Sequence, residues 1–580
     1  MKKKTSYKPY KYFSSFVIVL IAIIVVNLIS SRVFTRFDLT TEKRYTLSPA
    51  TKDLLRNLDD IVYFRVYLEG DFPAGFKRLR RATKELLDDF RAYNKNIQYE
   101  FINPSQSENV DERNATYQLL VEQGLNPTNL QVKTKTGMDQ QVIFPGAIAT
   151  YRNKELPIEL LNAQMNVPPE AVLNNSIQNL EFKFANIINK LIKKVKPKVA
   201  FIEGHGELNL DETYDITLAL QEDYIVERFR LDSNINALVN RALIDSATSE
   251  YQLQPKYEAI IIAKPDSVFS SKDKFIIDQY IMHGGKVLWL IDPVLTSMDS
   301  IQSSESTVAI ENPLDLKDQL FTYGIKLNTD LVMDMNAMPI PIRTGQMGNQ
   351  PQIDFFPWYY FPLVTPTSTH PVVRNLNTIK TQFVSSLDTS RVRNVKKTVL
   401  LKSSPYTRVV GVPAMISLSL IRQQTDESLY QGPPRPVAVL MEGVFESHYK
   451  NRVPPSLMEA KEIGFKDFSE RTAMIVVSDG DVIKNQFHIP NGYPLPLGYD
   501  QFTRETFGNK EFILNAINYL TDGPGLISIR SRELKLRLLD KTKITNNRTV
   551  WQITNVLAPV LVVLIVGMLL IWLRKRKYAR

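Results

Sequence analysis

The stretch VAFIEGHGE, residues 199–207, decides the fold of this 580-residue chain. It reads as a short, wholly apolar strand that stops at a charged turn containing two glycines. Two later runs repeat the pattern: AIIIA at 259–263 stops at Lys264-Pro265-Asp266, and VLWLI at 287–291 stops at Asp292-Pro293. Helical stretches separate the runs. Because strands that are buried on both faces are apolar throughout, the alternation predicts a mostly parallel sheet with helices on both sides.

Outward from this sheet, the sequence predicts an α/β protein with two structural units. Residues 196–525 form the second unit, which carries an irregular insertion rich in proline and aromatic residues at 295–470. Residues 45–195 form the first unit, whose strands and helices follow the order β-α-β-α-β-β-α. That order is compatible with a thioredoxin-like layout, although the chain has no cysteine and therefore no CxxC motif.

Two long apolar runs flank the α/β units. Residues 13–31 and residues 553–573 each approach the roughly 20 apolar residues that cross a membrane as a helix. A cleaved signal peptide is the alternative for the first run, but its apolar region would be shorter and would end in a small-residue cleavage site. A buried core helix is the alternative for the second run. We expect two transmembrane helices, the second preceded by a membrane-proximal connector at 526–552.

The net charge of +10 resides in the two ends of the sequence. Residues 1–12 and 574–580 are basic tails that together hold ten Lys and Arg and no acid. Of the 71 Lys and Arg in the chain, 61 remain for everything between, against 61 Asp and Glu. The part between the spans is therefore neutral, which disfavours a nucleic-acid partner. The excess of basic residues in cytoplasmic segments places both tails in the cytoplasm and the large domain on the extracytoplasmic side.

Polar residues follow three of the predicted core strands. In doubly wound sheets, ligands bind just outside the carboxyl ends of the strands, so these residues are candidates for one ligand-binding crevice. A metal ion or acid–base chemistry would also suit four of them, namely Glu203, His205, Glu207 and Asp292. Ordinary turn chemistry, with local hydrogen bonds, is the alternative. The candidate ligand-binding residues are Glu203, His205, Glu207, Asp292, Ser478 and Asp479.

An aromatic run lies inside the insertion, among seven prolines between residues 339 and 371. Such a run either docks a partner through its rings or packs into the core of the domain. The candidate partner-docking residues are Phe355, Phe356, Trp358, Tyr359, Tyr360 and Phe361.

Several kinds of chemistry are missing from the sequence. There is no GxxxxGK[ST] motif, so ATP hydrolysis would require a partner chain. There is no GxSxG, HExxH or kinase motif, and no two of the five histidines have metal-ligand spacing. The absence of cysteine excludes a thiol nucleophile and a thiolate metal site. We therefore expect no catalytic residue, no metal and no cofactor, which favours a binding or coupling subunit.

Five segments together resemble the GldG family of gliding-motility-associated ABC transporter proteins, over essentially the full chain. They are RFDLTTEKRYTLSPAT at 36–51, FIEGHGE at 201–207, IDPV at 291–294, SDGD at 478–481 and the terminal RKRK at 574–577. The resemblance implies an ABC permease and an ABC ATPase as partners in the bacterial inner membrane, a periplasmic body and a link to gliding. It also implies a second unit similar to glutamine-amidotransferase and ThuA-like folds, of a type shared with an intraflagellar transport protein. Without cysteine, the amidotransferase nucleophile cannot exist here.

Three functions remain open at this point. The first is a two-pass, membrane-anchored auxiliary or substrate-binding subunit of an ABC transporter, with a polymer, lipid or protein as ligand. The second is an extracytoplasmic, metal-dependent hydrolase that uses Glu203, His205, Glu207 and Asp292. The third is a purely structural scaffold of a membrane complex.

Overall fold

The computed structural model describes residues 16–24, 46–134, 137–161, 168–193, 195–245, 250–347, 350–422, 426–522, 525, 529 and 547–578. The chain divides into two compact parts. One contains Leu47–Arg532 and therefore both α/β units, and the other contains Glu533–Arg580. Each part is described by itself.

The first unit is a four-stranded mixed sheet with helices against it. The sheet has the order β2-β1-β5-β6, in which β1 and β2 are parallel and the other neighbours are antiparallel. Strands β3 and β4 form a separate hairpin. The elements in chain order are α1 (Pro49–Arg56), β1 (Val62–Val66), α2 (Ala74–Tyr93), β2 (Ile97–Phe101), α3 (Val110–Glu122), β3 (Thr128–Thr134), β4 (Gly137–Ile143), β5 (Gly146–Tyr151), β6 (Lys154–Glu159) and α4 (Pro169–Ile192).

The sequence segment LSPAT at 47–51 fixes the start of this unit. Ser48 caps helix α1, since its hydroxyl accepts a hydrogen bond from the Thr51 amide at 3.0 Å. Glu181 of α4 accepts two further hydrogen bonds, from the Ser48 amide at 2.6 Å and from the Thr51 hydroxyl at 2.8 Å. In the core of the unit, Phe64 of β1 meets Phe184 of α4 edge to face at 5.1 Å. The capped helix is thereby tied to α4, 130 residues later in the chain.

The second unit contains most of the chain. Its elements up to the end of the predicted insertion are β7 (Lys198–Glu203), α5 (Tyr214–Gln221), β8 (Ile225–Arg230), β9 (Val239–Asp245), β10 (Glu250–Pro255), β11 (Ala259–Ala263), α6 (Ser271–Met282), β12 (Lys286–Leu290), β13 (Val294–Leu295), α7 (Met298–Ser304), β14 (Ser306–Glu311), α8 (Lys317–Tyr323), β15 (Ile325–Leu327), β16 (Asp330–Asp334), β17 (Ala337–Met347), β18 (Gln350–Val364), β19 (Ile379–Lys380), β20 (Leu387–Thr389), β21 (Val395–Lys402), β22 (Thr407–Gly411), β23 (Ala414–Ser417), β24 (Pro436–Gly443) and α9 (Pro455–Glu459). The remaining elements are β25 (Thr472–Val477), β26 (Tyr499–Asp500), β27 (Glu505–Thr506) and α10 (Asn509–Asp522).

A seven-stranded sheet forms the centre of the second unit, in the order β21-β24-β25-β12-β11-β7-β8. The five strands from β25 to β8 are parallel, and they include the three apolar runs from which the sheet was predicted. Alternate residues of β7 enter two cores: Val199 and Phe201 face the side that α5 and α10 cover, and Ala200 and Ile202 face the side that α6 and α8 cover. Burial on both faces explains why the three apolar runs contain no polar residue.

The prediction that residues 295–470 are irregular is wrong. This stretch contains strands β14–β24, and two of them, β21 and β24, extend the central sheet with antiparallel pairing. The aromatic run lies in β18, which pairs with β17 as a long hairpin. Five of the seven prolines lie within these two strands, where the pairing register shifts twice. A proline lacks the amide hydrogen that a regular ladder needs, and such shifts accommodate it.

The C-terminal part contains one long helix, α11 (Arg548–Tyr578). Among the described residues it is the one helix long and apolar enough to cross a membrane, and none of its apolar window is buried inside the protein. Its side chains from Ile553 to Leu573 span about 31 Å at 1.5 Å per residue, which matches the roughly 30 Å hydrocarbon thickness of a bilayer. Of the first predicted span, residues 16–24 are helical and the rest lies outside the described residues, as do residues 1–12 and most of the connector at 526–552.

Candidate functional site

The candidate site lies at the carboxyl ends of the parallel strands. Along the sheet, the five parallel strands have the chain order 2-1-3-4-5, counted from the β8 edge. In sheets of this kind the strand order reverses between the first and third strands, here β7 and β11, and ligands bind in the crevice at that reversal. The EGHGE turn follows β7 and the Lys264-Pro265-Asp266 turn follows β11, so both flank the crevice.

In this protein the two turns close the crevice against each other. The His205 carbonyl accepts hydrogen bonds from the amides of Asp266 and Ser267, both at 3.0 Å, and the Leu208 amide donates to the Ala263 carbonyl at 3.0 Å. Gly206 has a φ of +73°, and a Cβ there would lie 1.6 Å from a carboxylate oxygen of Asp266. The positive φ therefore favours glycine here, and a Cβ would displace the Asp266 carboxylate from its position.

His205 lies beneath the closed turn and is 4% exposed. Its ring stacks on Phe269 with the centroids 3.7 Å apart. Nδ1 lies 3.2 Å from Glu207 and Nε2 lies 3.3 Å from Asp273. Burial alone would lower the pKa of His205, but the two carboxylates outweigh it and raise the pKa above its usual value. The arrangement therefore favours the protonated form of His205 between two carboxylates.

Glu203 belongs to a different set of contacts. It pairs with Arg228 of β8, whose guanidinium also donates to the Thr213 hydroxyl at 3.0 Å. The same guanidinium lies 5.0 Å from the centre of the Phe201 ring. Glu203 thus links the ends of β7 and β8 and does not join His205 in a common ligand set.

A second charged cluster, which we call the Lys264 cluster, joins the ends of β11, β12 and β25. It consists of Lys264, Asp292, Asp479 and Asp481. The Lys264 amine lies 3.2 Å from Asp292 and 2.5 Å from Asp481. The Gly480 amide donates to Asp292.

The carboxylate of Asp479 is fully buried within this cluster and accepts hydrogen bonds from the amides of Gln382 at 2.7 Å and Asp481 at 2.8 Å. Burial, together with the charges of Asp481 and Asp292, raises the pKa of Asp479 well above its usual value. Burial alone would lower the pKa of Lys264, but Asp481 and Asp292 raise it instead. The amine is therefore the permanent cation that compensates this group of carboxylates.

The predicted ligand residues accordingly fall into separate sets of contacts. His205 and Glu207 form one, Glu203 pairs with Arg228, and Asp292 and Asp479 join the Lys264 cluster. Ser478 is fully buried, and its hydroxyl donates to the Ser385 carbonyl at 2.5 Å. Sequence reasoning missed Lys264, Asp273 and Asp481 as members. Within the described ranges, no group of three or more His, Asp or Glu is arranged to hold a metal ion.

The predicted partner-docking residues divide between core and surface. Trp358, Tyr360 and Phe361 are 2%, 3% and 6% exposed and pack in a core cluster that includes Phe383. Phe355 is 49% exposed. Phe356 and Tyr359 are half-buried and line a small pocket with Met333, Leu420 and Ile421.

Comparison with known proteins identifies the family. Residues 196–516 match a family described as an ABC-type uncharacterized transport system, and this match covers more than half of the chain. The chain belongs to this ABC transport auxiliary family. Residues 41–150 match a domain of unknown function, DUF7088.

Two individual proteins are similar to this family member. An uncharacterized protein of Borreliella burgdorferi is 21% identical over 550 residues, which are 93% of this chain and 94% of that protein. The mmIFT52 N-terminal domain, a solved structure, has 13% identity, with a TM-score of 0.31. The match covers 56% of this chain and 98% of that domain. Family membership makes the chain a transport-associated accessory protein, which implies association with other transporter components.

Proposed function

We propose that this chain is a non-catalytic, membrane-anchored auxiliary subunit of an ABC transporter, which couples an ABC permease and an ABC ATPase to an extracytoplasmic ligand or partner. The family match over residues 196–516 carries the proposal. Helix α11 supports it, since its apolar side chains are unburied and have the length of a bilayer core. The two-pass topology in a bacterial inner membrane, with both termini cytoplasmic and the body periplasmic, is part of the proposal.

The closed crevice favours a coupling role over a small-molecule enzyme. The side chains that a hydrolase would need at the strand ends are engaged with one another: His205 with Glu207 and Asp273, and Lys264 with Asp292 and Asp481. We therefore assign recognition of a polymer, lipid or protein ligand to surfaces outside this crevice. The link to gliding motility rests on the resemblance to GldG.

Purification of the full-length chain from its native membranes in mild detergent tests the proposal. We expect a multi-span ABC permease and an ABC ATPase to co-purify in fixed ratio. A variant in which residues 553–573 are replaced by an unrelated transmembrane helix is the matched control, because it keeps the anchor and removes the specific surface of α11. Recovery of the wild-type chain without either partner would contradict the proposal.

The absence of cysteine allows a direct test of topology. Single cysteines at Asn491, which is exposed on the body, and at Ala579 in the C-terminal tail can be labelled in intact cells with a membrane-impermeant maleimide. We expect labelling at position 491 alone. Labelling at position 579 alone would reverse the proposed orientation.

A further inference from the structure

Each end of helix α11 has a tryptophan, but the two ends differ in charge. Trp551 and Trp572 are 51% and 57% exposed and stand about 31 Å apart along the helix. Tryptophan side chains concentrate at the two membrane–water interfaces, because the ring is apolar and its N–H is polar. Both residues are thus placed at headgroup level when the helix crosses a bilayer.

The C-terminal end carries a dense basic cluster directly after the apolar stretch. Arg574, Lys575 and Arg576 follow Leu573 without interruption, and all three side chains are exposed. The Arg576 guanidinium lies 5.4 Å from the centre of the Trp572 ring. This cation–π contact holds the guanidinium beside a ring that sits at the interface.

Among the described residues, no carboxylate pairs with this cluster. The sequence contains no Asp or Glu after Asp540, and the ion pairs of the described residues include none of these three cations. At the other end of the helix, Arg548 is the one basic residue within the described stretch 547–552. An arginine offers up to five N–H donors in a planar fork that suits phosphate. The donors at the C-terminal end are therefore placed at the depth of lipid phosphates when α11 crosses a bilayer.

From this geometry we propose that the C-terminal end of α11 is a binding site for anionic phospholipid headgroups, with Arg574, Lys575 and Arg576 as the phosphate-binding residues. The inference rests on the proposed membrane span of α11 and adds a lipid class to it. The interaction enriches anionic lipid around Trp572 and leaves the surroundings of Trp551 closer to the bulk composition.

Quenching of tryptophan fluorescence by brominated lipids tests this site in the full-length chain. The Trp551→Phe variant leaves Trp572 as the membrane reporter, because the other two tryptophans, Trp289 and Trp358, are buried at 0% and 2% exposure. The protein is reconstituted into vesicles of phosphatidylcholine with a minor fraction of phosphatidylglycerol. In one set the phosphatidylglycerol is brominated, and in the other an equal fraction of the phosphatidylcholine is brominated.

We expect quenching of Trp572 to show about fivefold local enrichment of brominated phosphatidylglycerol. This enrichment corresponds to about 1 kcal/mol at 1.4 kcal/mol per factor of ten, the contribution of one basic residue near an anionic surface. The triple variant Arg574→Gln, Lys575→Gln, Arg576→Gln should lower the enrichment, and the remainder is assigned to Lys577 and Arg580, which the variant keeps. The Trp572→Phe variant reports from Trp551 and should show a smaller enrichment.

The outcomes separate this inference from the proposed span. Equal quenching of Trp572 by the two brominated lipids would overturn the lipid site and leave the span intact. An enrichment that is undiminished in the triple variant would also overturn it. Absence of quenching by either lipid would contradict the proposed span itself.

Discussion

Replacement of Lys264 by methionine tests whether its amine compensates the carboxylates of the Lys264 cluster. Methionine keeps much of the apolar stem and removes the charge, which leaves Asp292 and Asp481 without their cation at distances of 3.2 and 2.5 Å. Loss of one partner from a buried ion pair costs about 3–5 kcal/mol, because the remaining charge stays buried and unpaired. The side chains of Lys264, Asp292 and Asp481 are 24%, 15% and 11% exposed, so we expect about 3 kcal/mol.

Hydrogen exchange of the strand-end peptide measures this loss locally. The Gly480 amide donates to Asp292, and its opening free energy should fall by about 3 kcal/mol, which is about a 100-fold faster exchange. The matched control is Lys272→Met, since Lys272 is exposed on α6. We expect the control to change exchange at Gly480 very little. Equal exchange rates in the Lys264→Met variant and the wild type would refute the assigned role of the amine.

The same variant should respond to pH with a defined sign. Burial and its neighbours already raise the pKa of Asp479 above its unfolded value of about 3.9, and removal of Lys264 leaves the neighbouring carboxylates more costly to ionise. A folded-state pKa above the unfolded value means that the folded state binds more protons between the two values. Stability of the variant should therefore fall as pH rises above about 4 and recover as pH is lowered toward 4. A destabilisation that is constant from pH 4 to pH 8 would contradict the electrostatic explanation.

Three further predictions follow from single residues. The raised pKa of His205 means that its contribution to stability is complete below about pH 6.5 and is lost as pH rises through the folded-state pKa. His205→Gln should therefore lower the thermal midpoint more at pH 5.5 than at pH 9. An equal loss at the two pH values would contradict the ion pairs. Gly206→Ala should cost more than Gly492→Ala in thermal unfolding, since both positions have positive φ but a Cβ at position 492 meets nothing within 4 Å; equal costs would show that steric closure of the turn is unimportant. Ser48→Ala should cost about 1 kcal/mol by loss of the cap and of the hydrogen bond between the Ser48 and Thr51 hydroxyls, measured by urea unfolding followed by far-ultraviolet circular dichroism, and an unchanged midpoint would contradict the capping role.

The central sheet was predictable because its strands are buried on both faces. A continuous apolar run such as residues 259–263 is stable only where both of its faces are buried. The structure places that run in the middle of the sheet as β11. Strand β21 was missed because it is an edge strand in which exposed and half-buried residues precede two buried leucines. That pattern resembles a loop when the partner strand is unknown. The long hairpin of β17 and β18 was missed because both strands contain prolines, and a proline inside a run argues against a strand.

The candidate site was predictable only as a location. The sequence shows that charged residues follow the strands, and parallel strands bring those residues to one edge of the sheet. It does not show which charges pair, because the partners lie far apart in the chain: His205 and Asp273 are 68 residues apart, and the Gly480 amide reaches Asp292 across 188 residues. The Lys264-Pro265-Asp266 turn was a visible signal for the missed lysine. Only the fold shows that the turns close the crevice.

Site-specific photo-crosslinking from α11 in native membranes tests the central claim most directly. Leu564, in the middle of the apolar stretch, is replaced by the photoreactive amino acid benzoylphenylalanine. The control has benzoylphenylalanine in place of Lys272, which is exposed on α6. We expect position 564 to crosslink to a multi-span ABC permease and position 272 not to. Crosslinks from position 564 to lipid alone, or to proteins unrelated to an ABC transporter, would contradict the account.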